Sequence, residues 1–223
     1  MMDAANQGRP LHRPQGLGEE IANAVSHGLG VLLAIAGMVV LLVRASGSGS
    51  TLAVVSVALY GASMVILYLI SCLYHSLAAP RGKQVFQILD HCSIFLLILG
   101  SYIPISLVLI GGWVGWAMFG VITACAVLGI VLNSISFQRW RKLSMVLYVV
   151  MGWLGVLTLP LMIRATSLSG LGLLVLGGVS YTLGIVFYRQ RERKYRHFIW
   201  HLFVLGGTIL QFFFIFNYCC GIA

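Results

Sequence analysis

Three histidines and one aspartate interrupt segments of this sequence that are otherwise apolar. His197 and His201 stand four residues apart in "RHFIWHLFVLGG", His75 follows Ser71 by four in "SCLYHSL", and Asp90 opens "ILDHCSIFLLILGSYIP". Residues four apart on an α-helix are offset by only about 40°, so each of those pairs shares a face. Glu20, Asn23 and His27 in "EEIANAVSHGLG" form a further stripe, since a seven-residue step returns to within about 20°. Asp90 and His91 are adjacent and diverge by about 100°. Only one of them can point squarely into a shared site, and Asp90 is the expected one.

The chemistry follows from what could satisfy such groups inside a membrane. A charged side chain there costs about 3 kcal/mol or more and finds a partner in the bundle interior. Three neutral imidazoles do not satisfy one another, whereas one Zn²⁺ ion accepts a lone pair from each. His75, His197 and His201 are the expected ligands. Three protein ligands with an open fourth position is the catalytic pattern rather than the structural one. Asp90 is then placed to orient an attacking water and take its proton, with Ser71 hydrogen-bonding nearby. A histidine pair at this spacing also arises by chance, so the weight rests on the combination. His91 reads as a satisfied packing residue. Glu20, Asn23 and His27 read as a polar network between helices rather than as ligands.

The elements that must position these residues are transmembrane helices. Of 223 residues, 60% are hydrophobic and 9% charged, against about 45–50% and about 25% in a soluble domain. Apolar runs of about 20 residues, enough to cross a bilayer, fall near 22–43, 52–74, 85–109, 113–135, 143–163, 167–188 and 197–219. The expected fold is an all-α membrane protein, a bundle of seven transmembrane helices spanning residues 19–223. Residues 1–18 read as a disordered cytoplasmic tail, with no apolar stretch of a cleavable signal. Pro104 and Pro160 lie inside the third and fifth runs and should kink them.

Orientation follows from the cations. Arg9, Arg13, Arg81, Lys83, Arg139, Arg141, Lys142, Arg189, Arg191, Arg193, Lys194 and Arg196 fall on one side, and only Arg44 and Arg164 on the other. Twelve of fourteen on one side places the N-terminus in the cytoplasm and the C-terminus outside. The net charge of +9 is spread over short connections, which suits anionic lipid headgroups and not nucleic acid. The five cysteines form no CxxC pair and read as small buried hydrophobes. In this arrangement Ser71, His75, Asp90, His197, His201 and the stripe of the first run all lie within roughly 10 Å of the cytoplasmic face.

The four quoted motifs together resemble the PAQR superfamily (progestin and adipoQ receptors), and within it the bacterial hemolysin III branch. The resemblance runs from about residue 18 to 219. It implies a seven-helix core with a cytoplasmic N-terminus, and zinc held by His75, His197 and His201. It also implies that Asp90 and Ser71 surround a bound water, and it covers the Glu-x-x-Asn-x-x-x-His motif at Glu20, Asn23 and His27. The implied activity is hydrolysis of a lipid amide or ester, ceramidase-like, in the bacterial inner membrane, with a membrane lipid as substrate or ligand. A second reading is a non-enzymatic sensor or regulator of membrane fluidity. The third is a cytolytic pore, which ranks lowest because a secreted toxin needs a soluble form and an export signal.

Overall fold

The computed structural model describes residues 15–190 and 192–221. Most of the expected N-terminal tail, with Arg9 and Arg13, lies outside the described residues, as does Arg191. Every element is helical: α1 (Leu17–Ser46), α2 (Thr51–Ser76), α3 (Pro80–Pro104), α4 (Gly112–Trp153), α5 (Leu159–Ala165), α6 (Leu168–Arg189) and α7 (Arg196–Tyr218).

Local chemistry sets the boundaries. Ser50 caps α2 by accepting from the Ala53 N–H at 3.2 Å, and Ser167 caps α6 by accepting from Gly170. Side-chain oxygens there satisfy amides that have no partner inside the helix. Pro80 begins α3 at a position where the missing N–H costs nothing. The expected kinks appear as changes of helix type. After Pro104 the chain widens into a π-helical turn over Ile105–Ile110, and before Pro160 it tightens into a 3₁₀ segment over Leu154–Thr158. Proline removes one hydrogen bond of the ladder and crowds the preceding turn, so the helix adjusts where it stands. Gly111 and Gly112 take positive φ angles of 61° and 54° between α3 and α4, a conformation that favours glycine.

Among the described residues, six helical stretches are long and apolar enough to cross a membrane. Two of the seven expected runs, 113–135 and 143–163, fall within one of these, the 54-residue stretch Gly112–Ala165. Ser136 breaks that stretch with non-helical angles, φ −161° and ψ 91°.

In the bundle, α1 packs against α2, α2 against α3, α3 against α4, and α6 against α7. Helix α1 also packs against α7, so the first and last elements are neighbours. The interior holds Tyr60, Tyr68, Phe95, Ile122, Met151 and Phe214 fully buried, while Leu29, Leu32 and Leu33 on α1 are more than half exposed. Apolar side chains pointing outward are what a lipid environment allows, because burial of apolar surface gives no advantage there. Gly129 is required at the α3–α4 contact: an added Cβ would meet the buried Phe95 ring below 3 Å.

Candidate metal centre

The site forms where the N-terminal turns of α1 and α7 meet the C-terminal turn of α2. His75, His197 and His201 are 4%, 9% and 1% exposed. One ligand nitrogen from each lies within 4.8 Å of the others. His201 Nε2 and His197 Nε2 are 3.2 Å apart. Two nitrogens bound to one tetrahedral zinc at about 2.0–2.1 Å stand roughly 3.3–3.4 Å from each other, so this pair is already close to that separation.

The surrounding partners fix which nitrogen of His75 and of His201 carries a proton. His75 Nδ1 is 2.7 Å from Glu20 Oε2. A carboxylate only accepts, so the imidazole donates from Nδ1 and keeps its lone pair on Nε2. His75 Nε2 is buried and has no hydrogen-bond partner among the described residues. Ser26 Oγ donates to the Asn23 carbonyl at 2.8 Å and lies 3.2 Å from His201 Nδ1. Its proton being used, Ser26 accepts from His201 Nδ1, and the lone pair of His201 also sits on Nε2. Lone pairs from two rings thus face the same space as His197 Nε2. Leaving the buried His75 Nε2 acceptor unmatched costs about 1–3 kcal/mol, and a divalent cation between the three rings removes that cost. The donor set, neutral imidazoles oriented by outer hydrogen bonds, fits zinc.

Glu20 is itself compensated by Lys83 Nζ, 2.5 Å from its Oε1. Glu19 accepts from the Gly16 N–H at 2.9 Å and from the Tyr195 N–H at 2.8 Å. Tyr195 is the only non-glycine residue with positive φ among the described residues (60°) and precedes the first turn of α7. Its amide tied to Glu19 holds that turn against α1.

The structure divides the remaining candidates. Glu20 reaches the histidine cluster directly. Asn23 Nδ2 donates to Gln15 Oε1 at 2.7 Å and touches His75 Nδ1 only at 3.5 Å. His27 does not join that network: its ring stacks on His201 with centroids 3.6 Å apart and an angle of 11°. Among the described residues neither of its nitrogens has a hydrogen-bond partner. Ser71 is 1% exposed with its hydroxyl also unpartnered. Asp90, 9% exposed, has its carboxylate 3.6 Å from His91 Nδ1. No hydrogen bond joins Ser71 or Asp90 to the three histidines among the described residues. His91 is held in packing: Nδ1 donates to the Gln87 carbonyl at 2.8 Å, and Nε2 accepts from the Tyr188 hydroxyl at 2.9 Å.

Comparison with known proteins now bears on this geometry. The model of the haemolysin-III related family matches residues 15–212. The chain belongs to the haemolysin-III related family. Within that family, it is 40% identical over 200 residues to Hemolysin-3 of Bacillus cereus, covering 90% of this chain and 91% of that one. It is likewise 40% identical over 201 residues to a Hemolysin-3 homolog of Bacillus subtilis (strain 168), covering 90% and 94%. A more distant relative, the human monocyte to macrophage differentiation factor, is 25% identical over 173 residues, 72% of this chain and 68% of that one. With its apolar helices, this haemolysin-III related chain is a multi-pass bacterial membrane protein.

Glu20, Lys83, Ser26 and Glu19 take parts that the motifs did not assign to them. The one signal available was the spacing of Glu19, Asn23 and Ser26, which places all three on one face of α1. If Glu20 orients His75 as described, Glu20→Gln weakens zinc binding about 10–100-fold while leaving the fold intact. Competition with a chelator of known affinity measures this, and an unchanged affinity removes Glu20 from the site.

Proposed function

We propose that this protein is a zinc-dependent hydrolase of lipid amides or esters, with its site near the cytoplasmic face of a bundle of seven membrane crossings. The observation carrying the reading is the convergence of three buried imidazole nitrogens beside an apolar cavity. At about 1.5 Å per residue, Gly112–Ala165 is roughly 80 Å long, more than twice the ~30 Å hydrocarbon core. The break at Ser136 supports two crossings there. The distribution of Lys and Arg supports an N-terminus in the cytoplasm and a C-terminus outside.

The cavity, about 150 Å³, is lined by Leu67, Ile94, Trp200 and Val204 among others. Leu67 is one turn from Ser71, Ile94 one turn from Asp90, and Val204 one turn from His201. An acyl chain in this space would bring its carbonyl to the level of the histidines. His75, His197 and His201 would hold zinc. Bound there, zinc supplies a Lewis acid that polarises a carbonyl and lowers the pKa of water toward about 7.

The chain's own residues do the rest. Asp90 orients the water and accepts its proton as the oxygen bonds to the carbonyl carbon. The same carboxyl returns that proton to the departing nitrogen or oxygen as the C–N or C–O bond breaks, leaving a fatty acid and an amine or alcohol. Ser71 donates a hydrogen bond within the site, and Glu20 and Ser26 keep His75 and His201 with their Nε2 lone pairs inward.

The test is lipid-resolved mass spectrometry of membranes from cells expressing the wild type or His75→Ala. A lipid class that falls in the wild type only, with a matching rise in free fatty acid, is the expected result. Identical lipid profiles would remove the hydrolase reading and leave the fluidity regulator.

A further inference from the structure

A second concave surface lies away from the histidines, between the C-terminal half of α4 and the end of α6. It is a groove of about 660 Å³, and it shares only Val149 and Ile185 with the internal cavity. Arg141, Lys142 and Arg189 line it together with a run of apolar side chains. On α4 the polarity changes in steps of one turn: Arg141 and Lys142, then Met145 and Val146, then Val149 and Val150. On α6, Arg189 stands one turn beyond Ile185. Both walls therefore run from cationic to apolar in the same direction, over roughly 12 Å on α4 and roughly 6 Å on α6.

That gradient matches one class of molecule in this environment. A soluble anion would need only the cations, and a neutral lipid only the valines. An anionic phospholipid needs both, a phosphate at the level of three cations and an acyl chain below them. The floor is open to the lipid side, since Val146, Val149 and Val150 are 57%, 37% and 49% exposed. None of the residues lining the groove is acidic. A zwitterionic lipid would bring its own ammonium against the cations.

We propose that this groove binds the headgroup phosphate of an anionic phospholipid, with one of its chains along Val146 and Val149. The inference does not depend on metal or hydrolysis. Basic pockets between membrane helices on the cytoplasmic side are where such headgroups bind. The inner wall is Tyr188, whose hydroxyl is the one bonded to His91 Nε2, so the occupant contacts a side chain that reaches α3.

The experiment uses the full chain purified in detergent and delipidated. Phosphatidylglycerol and phosphatidylcholine of the same chains are added separately. Retained lipid is read by native mass spectrometry, and protection by the shift in unfolding temperature. At about fivefold per cation, the wild type should prefer phosphatidylglycerol by roughly 100-fold. Arg141→Gln/Lys142→Gln/Arg189→Gln should reduce that preference to within a few-fold of unity, with phosphatidylcholine retention unchanged. Arg81→Gln/Arg193→Gln/Lys194→Gln removes the same charge elsewhere and should keep the preference. Should the first triple variant fail to fold, Arg189→Gln alone is read the same way and should lose about fivefold. Equal retention of the two lipids by the wild type would overturn the proposal. So would equal loss in both triple variants, or full protection by inorganic phosphate without lipid.

Discussion

Protein carrying His197→Ala and His201→Ala is expected to purify without stoichiometric zinc, and its unfolding temperature is expected to stop responding to added zinc. The reason is that two of three nitrogens disappear together, and the remaining one is held at a single position by Glu20. A wild-type protein at a free zinc concentration 1,000 times its Kd gains about 4.1 kcal/mol of stability by mass action alone, and that increment vanishes in the variant. The substitution also removes buried volume, including the ring that stacks on His27 at 3.6 Å. Truncations of this kind cost about 2–5 kcal/mol. The zinc-dependent part of the shift separates the two effects, because only loss of ligands abolishes it. His27→Phe keeps a flat ring on His201 and should retain full zinc. Full occupancy in the double variant, or none in the wild type, would end the metal reading.

The second large effect is expected at Asp90. Asp90→Asn is isosteric, so the packing of α3 and the zinc content should stay as they are. Hydrolysis should fall about 10²–10⁴-fold, because an amide cannot take the proton of the attacking water. Turnover and metal content measured on the same preparation decide it. Normal turnover in Asp90→Asn would move the proton acceptor elsewhere, and loss of zinc would make Asp90 part of the metal's support instead. Ser71→Ala should cost less, since in the proposed reaction a hydroxyl would contribute one neutral hydrogen bond where Asp90 would carry the proton.

Much of this was legible in the sequence because helical periodicity is local. The spacing of His197 and His201, and of Ser71 and His75, fixes a shared face whatever else the chain does. Helix limits followed composition: 167–188 was expected and α6 is Leu168–Arg189, and 197–219 was expected where α7 is Arg196–Tyr218. What could not be read was how the helices are rotated against one another. Glu20, Asn23 and His27 form one stripe on α1, yet Glu20 meets α2, His27 meets the ring of His201 on α7, and Asn23 turns back to Gln15. Lys83 registered as a charge that sets topology, and its pairing with Glu20 depends on the turn between α2 and α3. A separation between 113–135 and 143–163 was expected, but its form was out of reach: no proline or glycine marks Ser136, and the deviation lies in two backbone angles.

The contact between the first helix and the last has a consequence for biosynthesis. Glu19 and its partner Tyr195 are 176 residues apart, and Ser26 and His201 are 175 apart. A ribosome adding about 5–20 residues per second separates the emergence of each pair by roughly 10–35 s. Of the two helices against which α1 mainly packs, only α2 has emerged during that interval. The histidine cluster cannot exist at any earlier stage of synthesis, because two of its three rings arrive with the final helix. If the cluster holds an ion as proposed, loading follows synthesis of α7, and it would act as a latch that reports arrival of the final helix.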